Sequence, residues 1–147
     1  MKRPPILLPL LALAVVALVA FETLSMDGLY GLLGPVFLGD STVYAAGYSD
    51  RAFRQVHPGM GVEEVRGLLG DPVGCRLLFR DAHGRLLPDS KWLPGSPECA
   101  EQIAADPARL ERLCYSDSVP HDSSFRRREI VFEDGHVVRK FTEYYGD

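Results

Sequence analysis

Cysteine is scarce in this chain: Cys75, Cys99 and Cys114 are the three in 147 residues. No Cys-x-x-Cys occurs and the four histidines are scattered, which leaves no ligand set with zinc spacing. A basic surplus is also missing. Formal net charge is −4, and residues 22–147 hold 14 basic residues against 20 acidic, a net of −6. An acidic body argues against nucleic acid as a partner. Glycine-rich phosphate loops are absent too: Gly59-Met60-Gly61 has neither the lysine nor the spacing of a P-loop. Ser49, in Gly47-Tyr48-Ser49-Asp50-Arg51, lacks the second glycine of a nucleophile elbow. The late carboxylates Asp117, Asp122, Glu129, Glu133 and Asp134 read as solvated strand ends and turns rather than an acid–base pair. His57, His83, His121 and His136 read as turn residues. No cofactor, no metal and no catalytic residue is expected, so the chain is read as a non-enzyme.

What is present begins with Lys2 and Arg3, followed by sixteen apolar residues from Ile6 to Phe21. As a helix this run reaches about 24 Å, against roughly 30 Å for a hydrocarbon core. Residues 1–25 are therefore read as a signal peptide or an N-terminal membrane anchor, with cleavage and retention both open. Either reading exports the rest of the chain and places it at the periplasmic face of a membrane, anchored or secreted. No cysteine follows the run, so a lipoprotein is not expected. Export puts the cysteines in an oxidising compartment. Cys75 with Cys99 is the favoured disulfide, set against three reduced cysteines serving as small apolar residues. Residues 26–48 read as a linker.

From Ser49 the pattern becomes that of a folded domain. Ser49 or Asp50 can cap a short helix that buries Phe53 and Val56 and stops at His57-Pro58. A second helix starts after Gly61, with Glu63 and Glu64 in its first turn and Val65, Leu68 and Leu69 as its apolar stripe. Gly70 is the left-handed stop and Pro72 follows it. Residues 76–93 predict a hairpin around Asp81-Ala82-His83-Gly84. Ser96-Pro97-Glu98 opens a helical stretch over 97–113, broken at Asp106-Pro107, with Ile103, Leu110 and Leu113 buried. Tyr115-Ser116 is read as a short strand. Asp134-Gly135 between two β-rich runs predicts a final hairpin. A two-residue turn there sets Phe132 opposite Val137, Ile130 opposite Arg139 and Glu129 opposite Lys140. Ile130, Phe132, Val137 and Phe141 would then share the core face, with Glu129 and Lys140 paired outside. Arg126-Arg127-Arg128 reads as an edge-strand gatekeeper or a partner-binding patch, and Tyr144-Tyr145 as packing on the sheet or part of the same contact surface.

Phe53, Val56, Gly59, Met60, Glu64, Val65, Leu68, Leu69, Gly70 and Pro72, followed by Tyr115, Ser116, Val131, Phe132, Asp134, Gly135 and Val137, resemble the BamE (SmpA/OmlA) outer-membrane assembly domain. The resemblance covers about half the chain and rests mainly on fold determinants. It implies an α+β fold, with two short N-terminal helices packed on a three-stranded antiparallel sheet. A hairpin and helix segment, about residues 75–112, would be inserted within a domain spanning 49–147. It also implies a scaffold or accessory of envelope assembly that contacts another envelope protein, and a membrane through its N-terminal segment. The alternative is a secreted protein-binding or inhibitor module of the same small fold.

Overall fold

The computed structural model describes residues 7–95, 97–122 and 124–146. Lys2, Arg3 and Ser96, the expected cap of the third short helix, lie outside them. The order is α1 (Leu7–Leu38), β1 (Thr42–Tyr44), α2 (Asp50–Gln55), α3 (Val62–Leu69), β2 (Gly74–Arg80) and β3 (Leu86–Pro94). Then come α4 (Glu98–Ala105), a 3₁₀ turn at Pro107–Arg109, β4 (Leu110–Cys114), β5 (Ser116–Ser118), β6 (Phe125–Glu133) and β7 (His136–Tyr145).

The fold is α+β with antiparallel sheets. The expected three-stranded sheet is corrected to five strands in the order β3-β2-β4-β6-β7, with β1 and β5 forming a separate pair. The hairpin expected as an insertion supplies the two extra strands. Cys75, Leu77 and Leu93 on it point into the core, and β2 hydrogen-bonds to β4. The helical reading of 97–113 is corrected as well. Asp106-Pro107 ends α4, and Leu110 and Leu113 are buried from strand β4. Residues 26–48, read as a linker, contain the second half of α1 and strand β1.

The two short helices form where expected. Ser49 Oγ accepts the Ala52 amide at 3.2 Å and caps α2, burying Phe53. Glu64 reaches back to the Gly61 amide at 2.8 Å, half of a capping box, while Val62, Val65 and Leu69 face the core. Gly59-Met60-Gly61 is stitched to β7: the Gly59 amide donates to Val137 O at 2.8 Å, and the Val137 amide to Met60 O at 2.9 Å. Gly70 stops α3 at φ 77°, ψ −164°. That is outside the compact left-handed region and in one that only glycine enters readily. Cys75 and Cys99 are joined, with Cα atoms 6.0 Å apart, and Cys114 is a buried free thiol.

The last hairpin turns at Asp134-Gly135, but its register shifts after two pairs, Glu133 with His136 and Phe132 with Val137. Phe132 opposes Val137 as expected, whereas Ile130 opposes Lys140 and Glu129 opposes Phe141. Val138 is the extra residue of this bulge. Because side chains alternate, one extra residue exchanges the two faces beyond it. Phe141 therefore leaves the core face, and Lys140 enters it. The expected Glu129–Lys140 ion pair does not form. Lys140 Nζ instead donates to Phe53 O at 3.0 Å and Arg54 O at 3.3 Å, closing the C-terminal end of α2.

Candidate functional site

α1 consists of two helical segments divided by Gly28, at φ 68° and ψ −169°. By length and composition it is able to cross a membrane. In the first segment Leu10, Leu11, Leu13, Val15, Val16, Leu18, Val19 and Phe21 are all exposed. The second segment lies along β7. Gly34 presents bare backbone to the Tyr144 ring, where a Cβ would sit 2.4 Å away, and a Cβ on Gly31 would meet the Asp27 side chain and, at 3.5 Å, Tyr144 Cβ. The Tyr144 hydroxyl donates to Gly39 O, and Tyr30 meets the same ring edge-on at 5.5 Å.

Asp27, immediately before the break, is the one charged residue between Glu22 and Asp40. Its carboxylate is turned into the domain. Arg128 Nη1 and Nη2 donate to Asp27 Oδ1 and Oδ2 at 2.6 and 2.9 Å, and both side chains are 1% exposed. Arg126 Nη1 donates to Asp27 Oδ2 as well, and Arg126 Nε donates to Asp40 Oδ2 at 2.9 Å. Arg128 Nε donates to Asp50 Oδ1 at 3.1 Å, and the Tyr48 hydroxyl reaches the same oxygen. On the outer side Arg54 pairs with Glu22 at 3.4 Å. Burial disfavours the Arg128 charge, but hydrogen bonds to Asp27 and the charges of Asp27 and Asp50 outweigh it, so its pKa is raised. Burial pushes the Asp40 carboxyl up, and bonds from Thr42 and Arg126 more than reverse that and lower it. The joint thus carries three aspartates against two arginines, all hydrogen-bonded. The groove beside it, about 120 Å³, is lined by Glu22, Thr23, Met26, Asp50, Arg54 and Arg126 among others, and the Thr23 hydroxyl donates back to Val19 O at 3.0 Å. Among the described residues no three potential ligands converge on a metal position.

The alternation of β6 divides the arginine triplet. Arg126 and Arg128 point to the joint, and Arg127 to the opposite sheet face. Nor is this an open edge: β6 lies between β4 and β7, and beside the triplet the Arg126 and Arg128 amides donate to Thr42 Oγ1 and Ser116 Oγ while Arg128 O accepts the Tyr115 amide, so the gatekeeper reading is corrected. Arg127 pairs with Glu129 at 2.7 Å and with Glu143 at 2.9 Å, and Arg112 pairs with Glu129 at 2.9 Å. Phe141, brought to this face by the bulge, sits under the guanidinium groups of Arg139, Arg127 and Arg112 at 4.3, 4.7 and 5.4 Å. Burial pushes the Glu129 carboxyl up, but Arg127 and Arg112 more than offset it and hold the group below its usual value. Tyr145 is exposed and stacks on Phe125 at 6.0 Å.

The chain matches no family model, no curated protein and no solved structure.

Of the candidates for partner contact, Arg128 and Tyr144 are buried within the chain, Arg126 is held between two aspartates, Arg127 is partly buried between two glutamates, and Tyr145 is exposed. Sequence reasoning missed Asp27, Asp40 and Asp50 as partners of the arginines. A lone acid in an apolar stretch, set against two arginines at strand spacing, was the available signal.

Proposed function

We propose that this protein is a non-enzymatic, membrane-anchored envelope protein of BamE-like shape, which holds a small domain close to a bilayer and works by protein contacts. The observation that carries this reading is the joint: an exposed apolar helix is fastened to a folded domain by a buried, bidentate Asp27–Arg128 pair. Leaving eight large apolar side chains of that helix in water forgoes something of order 10 kcal/mol of transfer free energy. That rivals the whole stability of a small domain, so the segment belongs in lipid or is removed. The Cys75–Cys99 disulfide supports an oxidising compartment. The contact surface for another envelope protein is the sheet face around Phe141, where Arg112, Arg127 and Arg139 are held in place by glutamates and the ring. Aromatic and arginine side chains are the usual anchors of such surfaces.

A secreted binding module is the second reading, favoured by one observation. Residues 10–25 contribute no fully buried side chain to the domain, whereas Met26 and Asp27 do, so cleavage after Ser25 would spare the joint. Intact mass of the protein in separated membrane and soluble envelope fractions decides between them. Full-length mass in the membrane fraction supports the anchored scaffold. A mass lacking residues 1–25 in the soluble fraction supports the secreted module. Recovery of the full-length chain in the cytoplasm overturns both.

A further inference from the structure

The second segment of α1, Leu29 to Leu38, carries no charged residue. One side is fixed to β7 through Gly31, Gly34 and Tyr144. The other presents Leu29, Val36 and Phe37 at 63%, 75% and 78% exposure, with Leu33 between them. The spacing of 29, 33, 36 and 37 is that of a single helix face. Ten residues make a helix of about 15 Å, half of what spanning requires. The face begins beyond the Gly28 break, after Glu22–Gly28, the stretch that ties the apolar run to the domain through Glu22–Arg54 and Asp27–Arg128.

We infer that Leu29–Leu38 is an interfacial helix, seated in the headgroup and acyl boundary of the same bilayer that the first segment of α1 enters. This rests on the anchored reading and deepens it by fixing how the domain stands. Proximity to the apolar run identifies the occupant as lipid: the intervening Glu22–Gly28 spans only about 10 Å at helical rise, and its two acids are held by Arg54 and Arg128 of the domain, so the face stays beside the point where the run enters the bilayer. β7, on which this helix rests, is then the sheet edge nearest the membrane. β3, at the opposite edge of the five-stranded sheet, is the farthest from it. The working face around Phe141 stands on edge to the bilayer, open to a partner alongside in the membrane.

The test uses the full chain with Cys114→Ala, and single cysteines introduced as Leu13→Cys, Val36→Cys or Asp89→Cys. Each is labelled with an environment-sensitive fluorophore and reconstituted in phosphatidylcholine vesicles. Quenching is read with lipids carrying a nitroxide near the headgroup or deep in the chain, and with aqueous iodide. Position 36 is expected to lose roughly half its emission to the shallow nitroxide, as for a side chain roughly 5–10 Å below the headgroups. Position 13 should respond most to the deep nitroxide, and position 89, on β3, to iodide alone. Iodide quenching at 36 equal to that at 89, with 13 still quenched by lipid, overturns this inference and leaves the anchor standing. Iodide quenching at 13 overturns both. Shielding of position 36 from every quencher, with cross-linking between copies at that site, assigns the face to a second copy and overturns the lipid seat.

Discussion

Asp27→Ala removes the carboxylate that pairs bidentately with Arg128 and also accepts from Arg126. Breaking a buried pair by deleting one partner costs about 3–5 kcal/mol, because the charge left behind has lost its water and its counter-ion. Here the loss is partly relieved. Arg128 keeps Asp50 through Nε at 3.1 Å, and the Arg127 carbonyl through Nη1 at 3.0 Å. The low end, about 3 kcal/mol, is therefore expected. Asp27→Leu with Arg128→Met should restore much of it, since an apolar pair of similar bulk leaves no buried charge. Urea unfolding of the full chain in detergent micelles, followed by near-ultraviolet circular dichroism, measures each variant. A loss below about 1 kcal/mol for Asp27→Ala is the behaviour of a solvated surface pair and would refute the argument. So would a double variant whose loss equals the sum of the singles.

Gly34→Val places side-chain atoms inside the Tyr144 ring and should cost about 1–3 kcal/mol by overpacking, read as a lowered melting temperature; an unchanged melt means the helix is not seated on β7. Gly70→Ala should cost about 1–3 kcal/mol through backbone strain, with its Cβ also 3.0 Å from Ala46 O. Gly28→Ala has open space around its Cβ, so any loss there measures backbone strain alone, again about 1–3 kcal/mol. Glu129 gives a pH signature. Its folded pKa lies below the ordinary 4.5, so the unfolded chain takes up the proton first as pH falls. Its contribution is intact above about 4.5 and is lost as pH drops through the lower folded value. Denaturation midpoints at pH 6 and pH 3 should converge in Glu129→Gln relative to the parent; an equal fall in both removes Glu129 from the acid limb.

The local elements were legible because their signals are local. Ser49, Gly61 with Glu64, Gly70-Asp71-Pro72 and Asp134-Gly135 each mark a boundary within a few residues, and the structure puts boundaries there. What failed was long-range. The Val138 bulge has no signature of its own, yet it decides which face Phe141 and Lys140 occupy. The hairpin at 74–94 was recognisable as a hairpin, but its pairing with β4 depends on residues 110–114, whose apolar spacing suits a helix equally well. Arg126, Arg127 and Arg128 looked like one surface patch because their acids lie far off in sequence: Asp27 and Asp50 are 101 and 78 residues from Arg128. Strand alternation alone splits such a triplet between two faces, and that division is implicit in three consecutive residues of any β-strand.

The Asp27 joint also sets an azimuth. A helix turns by about 100° with each residue, so the side of the first segment that faces the domain is indexed to the residue held by Arg128. Adding one alanine between Phe21 and Asp27 would change depth by only about 1.5 Å but swing the upstream segment by more than a quarter turn. The domain is then not a weight on a swivel. In the proposed anchored form, a neighbour alongside the first segment would therefore meet the sheet face around Phe141 from a fixed compass bearing.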